Sequence, residues 1–336
     1  MRVAQEYLKT DLPWKTEWAG LIQKCGREMI WAENPDTKKW EVAVAMFCQK
    51  RLCPVCSWRR SVRTYNNIFD IITDPDFKKT GAEFIMLTLT IRNVPGNELS
   101  ATLDRLLEAW RVLVANDHHP FRKAFLGTFR SLEITYNQKA KTFHPHFHVL
   151  AAVPPEYFSK ENAEYMSHEK LIEVWKGALN RAVRIAPAEA GIRQLDTQTF
   201  GAKLDLGATL RTLEKNIREK YQPIDYDPEV RIEKIRKGTA SGIAEVAKYT
   251  VKPSDYATRK DVLEVLDPAL RRRRLIAYGG LFQQIYKKLN LEDEEIKESM
   301  QNGKTIDVMR NPLIQKIVAT WDFGLGTYKI TPYQEK

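Results

Sequence analysis

Phe143-His144-Pro145-His146-Phe147-His148-Val149-Leu150 decides how this chain is read. Three of its six histidines fall on every second position of an apolar run. Successive side chains of a strand point to opposite faces, so His144, His146 and His148 share one face. Phe143, Phe147 and Val149 take the other. Residues two apart on one face stand roughly 6.6–7 Å apart, close enough for two imidazoles to lean onto one metal ion. The plain alternative is a half-exposed strand that carries histidines by chance.

Upstream, Phe129 to Tyr136 has the composition of a second strand, and Asn137-Gln138-Lys139-Ala140 is a turn. A four-residue loop there sets Tyr136 against Lys141 and Glu133 against His144. Glu133 then joins the histidine face while Leu132 and Ile134 line the back. A one-residue slip would turn the carboxylate away. One carboxylate beside His144, His146 and His148 is a ligand set suited to Mn²⁺ or Mg²⁺ with positions left for water. His118-His119 is a second pair, but adjacent side chains diverge, and the pair reads as loop.

Other elements frame this hairpin. Glu83 to Ile91 is an apolar, β-branched strand closed by Asn93 and Pro95-Gly96. Glu98 to Asn116 carries Leu103, Leu106, Leu107, Trp110 and Leu113 at helical spacing, and Lys170 to Val183 repeats the pattern with Leu171, Val174, Trp175 and Leu179. Ser57 to Asp74 is helical and stops before Pro75. A strand is expected near Ile192. Ser241 caps a helix that must end at Pro253, because the residue before proline avoids helical angles. The C-terminal third reads as mostly helical up to Trp321-Asp322-Phe323. The fold class is α+β: a central antiparallel sheet with flanking helices, an N-terminal cysteine module and a helical C-terminal region. Three stretches are expected, at 1–75, 76–257 and 258–336.

The 336 residues are 43% hydrophobic, enough for real cores, so a disordered chain is excluded. A net charge of +10 favours an anionic partner, nucleic acid being the commonest. The opening MRVAQEYLKTDLPWK has no apolar core of a signal peptide, and no window approaches the roughly 18 apolar residues of a membrane span. A cytoplasmic protein without a membrane partner is expected. The four cysteines are Cys25, Cys48, Cys53 and Cys56. Cys53-Pro54-Val55-Cys56 has the form of a zinc knuckle turn; Cys48 upstream and Cys25 across a short apolar hairpin complete four ligands for a structural Zn²⁺. Buried free thiols or a redox pair are the alternatives. Trp58-Arg59-Arg60-Ser61-Val62-Arg63 follows at once, a run that grips phosphates or is simply a solvated helix face.

A second constellation is Glu245-Val246-Ala247-Lys248-Tyr249-Thr250-Val251-Lys252. Glu245 and Tyr249 are four apart and share a helix face, with Lys248 and Lys252 beside the tyrosine. A helical tyrosine taken alone is usually a packed aromatic. Beside a histidine–metal strand it offers an oxygen that attacks a polarised phosphate.

Four blocks, FCQKRLCPVCSWRRS, FIMLTLTIRNV, FHPHFHVL and EVAKYTVKPSDY, resemble the replication initiators of rolling-circle plasmids of Gram-positive type, within the HUH endonuclease superfamily. RRRRLIAYGGLFQQIYKKLNL is similar to that family too, so the likeness covers roughly residues 25–290. The resemblance implies a nickase and strand transferase. His146 and His148 would be the metal pair, Tyr249 the nucleophile, and Glu245 the group that activates water at termination. Arg59, Arg60, Lys248 and Lys252 would meet DNA, the partner being the plasmid origin, with a host helicase as a second partner. Relatives with two tyrosines use the second for strand closure; here that position is Glu245. Two other readings stay open: a relaxase or single-strand transposase with the same chemistry, and a non-catalytic zinc-stabilised DNA-binding repressor.

Overall fold

The computed structural model describes residues 2–34, 38, 40–159, 162–182, 223–235, 243–244, 246–247, 251–291, 314–322 and 327–334. The strand expected near Ile192 lies outside them. Contacts group the chain into two compact units, one of 1–64, 251–267 and 290–336, the other of 65–250 and 268–289.

The first unit opens with helices α1 (Arg2–Lys9) and α2 (Lys15–Lys24), followed by the hairpin β1 (Glu28–Glu33) and β2 (Trp40–Ala45). Helix α3 (Pro54–Thr73) starts here, and Ser57 N–H donates to the Cys53 carbonyl at 2.8 Å. Pro54 suits the first helical position, where its missing N–H costs nothing. The Cys53–Cys56 turn is therefore also the start of the helix expected from Ser57. Tyr7 and Trp14 both donate to the buried carboxylate of Asp267, at 3.2 and 2.5 Å, tying the N-terminal helices to the unit. The C-terminal third departs from its helical expectation. Strands β8 (Lys316–Asp322) and β9 (Thr327–Pro332) form a hairpin that pairs with β1 in a sheet ordered β2-β1-β8-β9. The β-branched run Ile317, Val318, Thr320 carries the signal for a strand.

The second unit holds a five-stranded antiparallel sheet in the order β6-β3-β5-β4-β7. Its strands are β3 (Glu83–Thr90), β4 (Gly127–Asn137), β5 (Thr142–Val153), β6 (Val230–Ile235) and β7 (Ile276–Gly280). The histidine strand β5 is central, flanked by β3 and β4, which explains its near-continuous burial. β7 comes from the RRRRLIAYGG block beyond residue 257, a second departure from a helical C-terminal region.

One face of this sheet is closed by α5 (Gly96–Val114) and the helix α7 at 168–182. Leu99, Leu103, Leu106 and Leu113 of α5, and Leu171, Trp175 and Leu179 of α7, are fully buried, as their spacing requires. Trp110 and Trp175 both pack on Phe147, with ring centroids 5.9 and 6.2 Å away. The short helices α4 (Pro75–Lys79) and α6 (Pro120–Ala124) and the helix α10 (Leu281–Lys288) complete the unit. His119 is the N-cap of α6, its Nδ1 accepting from Phe121 N–H at 3.3 Å, a structural use for one of the His118-His119 pair. The remaining helices of the chain are α8 (Pro253–Tyr256) and α9 (Lys260–Leu270). Lys252 before α8 is extended at φ −67°, ψ 132°, as the proline demands.

Candidate active site

The β4–β5 register decides which groups meet. Asn137 pairs with Thr142, Tyr136 with Phe143 and Glu133 with His146, two residues away from the expected partner His144. The turn is 138–141, where Lys141 takes φ 53°, and the Asn137 side chain accepts from Lys139 and Ala140 N–H at 3.0 and 3.1 Å. That Asx-type capping makes Asn137 the last strand residue rather than the first of the loop. Because the displacement is two residues, the face is preserved, and Glu133 still stands with the histidines.

Three atoms converge. Glu133 Oε2 lies 2.9 Å from His148 Nε2 and 3.7 Å from His146 Nε2, and the two Nε2 atoms are 3.2 Å apart. Neighbouring ligands of one octahedral ion at 2.0–2.1 Å bonds stand about 3 Å apart, so the spacing fits a small divalent cation held on one face. Each ring is oriented through its other nitrogen. His146 Nδ1 meets the His144 carbonyl at 3.1 Å, and His148 Nδ1 meets Thr88 Oγ1 at 3.4 Å from the adjacent strand β3. Such outer partners fix a ring with Nε2 aimed inward. Burial pushes the Glu133 carboxyl up, but hydrogen bonds and charge from His146 and His148 outweigh it and hold the group well below the usual carboxylate range. It is an anion ready for a cation.

His144 stands outside this group of three, its ring 5.0 Å from that of His146. Its backbone carbonyl serves the site instead of its imidazole. Pro145 falls in the gap between the last β3 pair, Thr90 with His146, and the isolated Val94–Phe143 bridge, where its missing N–H breaks no ladder bond. Burial, with the His146 charge second, lowers the His144 pKa and favours its neutral form.

The cysteines also gather. Cys25, Cys48, Cys53 and Cys56 are all buried, and their sulfurs lie within 4.8 Å of one another. Cys56 Sγ is 3.4 Å from Cys25 Sγ and 3.8 Å from Cys48 Sγ. A tetrahedral site with 2.3 Å metal–sulfur bonds separates its sulfurs by about 3.8 Å. Backbone N–H groups of Cys48 and Gln49 donate to the sulfurs of Cys25 and Cys56 at 3.4 and 3.2 Å. Hydrogen bonds from Cys25 and Cys48 pull the Cys53 and Cys56 thiols down, while Cys48 is pushed up. Four sulfurs in one knot suit a closed site for a metal such as zinc better than a redox pair.

The expected DNA-binding arginines already have protein partners. The Arg59 guanidinium lies 3.4 Å over the Phe47 ring, and Arg60 Nη2 donates to the Gln49 carbonyl at 2.5 Å. Both brace the cysteine loop. In the Arg271–Arg274 run, Arg273 is held by Asp104 at 2.7 Å, whereas Arg271, Arg272 and Arg274 are exposed. Lys252 is exposed too. Glu245, Lys248 and Tyr249 lie outside the described residues. Near them, Ala247 N–H donates to the Ile243 carbonyl at 3.0 Å, a helical turn, and Ile243, Val246 and Ala247 are buried.

Comparison with known proteins supplies the family. The model of the Replication protein family matches residues 39–187 and 216–329. "Protein rep" of Bacillus amyloliquefaciens is 30% identical over 324 residues, 94% of this chain and 86% of that protein. "Protein rep" of a Bacillus species is 32% identical over 295 residues, 85% of each chain. "Protein rep" of Streptococcus pneumoniae serotype 2 is 30% identical over 311 residues, 91% of this chain and 82% of that protein. No solved structure matches. The first matched stretch spans the histidine hairpin and the second the tyrosine block and β7, and the chain belongs to the Replication protein family, whose likeness the sequence blocks carry.

Proposed function

We propose that this protein initiates rolling-circle replication of a plasmid by nicking one strand of its origin, with Tyr249 as nucleophile. The observation that carries the reading is the convergence of Glu133, His146 and His148 on the central strands of an antiparallel sheet. Mn²⁺ or Mg²⁺ held by these three would polarise a phosphate oxygen and stabilise charge as it builds there. Thr88 and the His144 carbonyl keep the two imidazoles pointed at that place.

Tyr249 supplies the attacking oxygen. A bond forms from the phenolic oxygen to phosphorus and the bond from phosphorus to the 3′-oxygen breaks. The phenol loses its proton and the departing 3′-oxygen gains one. The products are a 5′-phosphotyrosine link and a free 3′-hydroxyl that a polymerase extends. A phenol with a pKa near 10 is a weak nucleophile at neutral pH, and Lys248 and Lys252 would favour its anion. Glu245, one helical turn earlier in the spacing, takes a proton from water at termination, so the strand is released by hydrolysis. A carboxylate there replaces a second tyrosine, which favours replication over a relaxase or transposase. Cys25, Cys48, Cys53 and Cys56 would hold a structural Zn²⁺ that fixes the start of α3, where Arg59 and Arg60 brace the cysteine loop and face origin phosphates.

End-group chemistry tests this reading. Incubated with Mn²⁺ and a labelled single strand carrying the origin, the full chain should give a 3′ end that polymerase extends and a 5′ end that kinase cannot label. Binding without cleavage would instead identify a non-catalytic repressor.

A further inference from the structure

Arg130 lies on β4 three residues before Glu133 but faces the other side of the sheet. It is only 2% exposed. Its Nη2 donates to the Arg274 carbonyl at 3.2 Å, and its guanidinium carbon sits 4.5 Å from the Phe147 ring centre and 5.8 Å from that of Trp110. Nε and Nη1 are buried with no hydrogen-bond partner among the described residues. No carboxylate pairs with it there. Burial, aided by the Arg274 charge, pushes the group down to about 9, so at neutral pH it is still a cation. A buried charge without a counter-charge is costly, and unmade donors add to that cost.

Arg130 lines a cavity of about 500 Å³ between α5, α6 and the β4–β7 edge. That is within the roughly 300–1,000 Å³ of small-molecule sites. Its charged lining is Arg111, Arg122, Arg130 and Arg274 against Asp117 alone. Arg111 is already held by Glu108 at 2.7 Å, and Arg122 is 3.5 Å from Asp117. Buried Arg130 and exposed Arg274 are the lining cations with no carboxylate partner among the described residues. Trp110, Phe121 and Phe125 make the apolar wall. An oxyanion satisfies paired guanidinium donors, and an aromatic wall accepts a flat group attached to it.

We propose that this cavity is a binding site for a nucleotide, whose phosphate pairs with Nε and Nη1 of Arg130 while its base lies along Trp110 and Phe121. The site is on the opposite face of the sheet from Glu133, His146 and His148 and does not depend on the nicking reading. The same chemistry is available from a free mononucleotide or from the phosphorylated end of a DNA strand.

Thermal unfolding of the full chain, without added divalent metal, tests it with dAMP, inorganic phosphate, and an oligonucleotide with or without a 5′-phosphate. Wild type should show a saturable rise in Tm with dAMP, and with phosphate at roughly tenfold higher concentration, since the base adds apolar contact. A rise with the 5′-phosphorylated oligonucleotide alone would assign the same site to DNA ends. Arg130→Met should fold, because it removes an uncompensated charge, and should lose the response to dAMP, to phosphate and to the 5′-phosphate of the oligonucleotide. Should it fail to fold, Arg274→Glu at the exposed side of the cavity should weaken phosphate binding severalfold. No saturable shift in wild type, or an undiminished one in Arg130→Met or Arg274→Glu, overturns the proposal.

Discussion

Glu133 stands directly across the β4–β5 ladder from His146, and its carboxylate reaches past that partner to His148 Nε2 at 2.9 Å. Such a diagonal reach is within the span of neighbouring strand positions. It draws one carboxylate and two imidazoles to a point while leaving His144 aside.

That geometry separates the three histidines by role. In wild type, Mn²⁺ at a hundred times its dissociation constant should raise stability by about 2.7 kcal/mol. His146→Ala, His148→Ala and Glu133→Gln should each lose most of that gain and all metal-dependent nicking. His144→Ala should keep both within a fewfold, because its backbone carbonyl remains for His146. Titration calorimetry and Tm measurements with Mn²⁺ check this. Equal losses in His144→Ala would return it to the ligand set.

The cysteine knot should hold about one zinc per chain, since four thiolates leave no open position. Elemental analysis after dialysis reads the metal directly. Cys53→Ser should release it and destabilise the first unit by several kcal/mol, because metal binding and folding are coupled there. A metal-free, fully folded wild type would leave four buried thiols.

Lys288 clamps two acids, at 3.0 Å to Asp74 and 2.7 Å to Asp76. Its hydrogen bond, then that of Lys79, lowers the Asp76 carboxyl to about 2. A depressed carboxyl stabilises the fold above its unfolded pKa, near 4, and loses that contribution as pH falls through its folded value. Lys288→Met should therefore be less stable than wild type at pH 5 to 7, and the difference should shrink toward pH 2. A difference that stayed constant down to pH 2 would mean that the clamp acts through packing alone.

Much of the site was legible because strand alternation is a strict local rule. His146 and His148 could share a face only as a strand, and an error of two residues in the turn left Glu133 on that face. The register itself depended on Asn137 capping the turn with its side chain, which composition alone did not rank above its neighbours. The knot of Cys25, Cys48, Cys53 and Cys56 followed from spacing. Pairings between distant segments were not legible: β8 joins β1 from the far end of the chain and carries β9 on its other edge, and β7 joins β4 across most of a unit. A strand's partner is chosen by packing, which a local pattern does not carry. The Arg59-Arg60 run was legible, but the stacking of Arg59 on Phe47 and the bond of Arg60 to the Gln49 carbonyl were not. Arg130 gave no signal, since one arginine in an apolar strand resembles any other.

The central claim is that Tyr249 carries the strand. Incubation of the full chain with Mn²⁺ and an origin single strand, then denaturing electrophoresis and peptide mapping, measures it. Wild type should give one covalent adduct on the peptide containing Tyr249, and Tyr249→Phe should bind the strand at near wild-type affinity without any adduct. An adduct that persists in Tyr249→Phe, or that maps to Tyr256 beyond Pro253, would contradict the account.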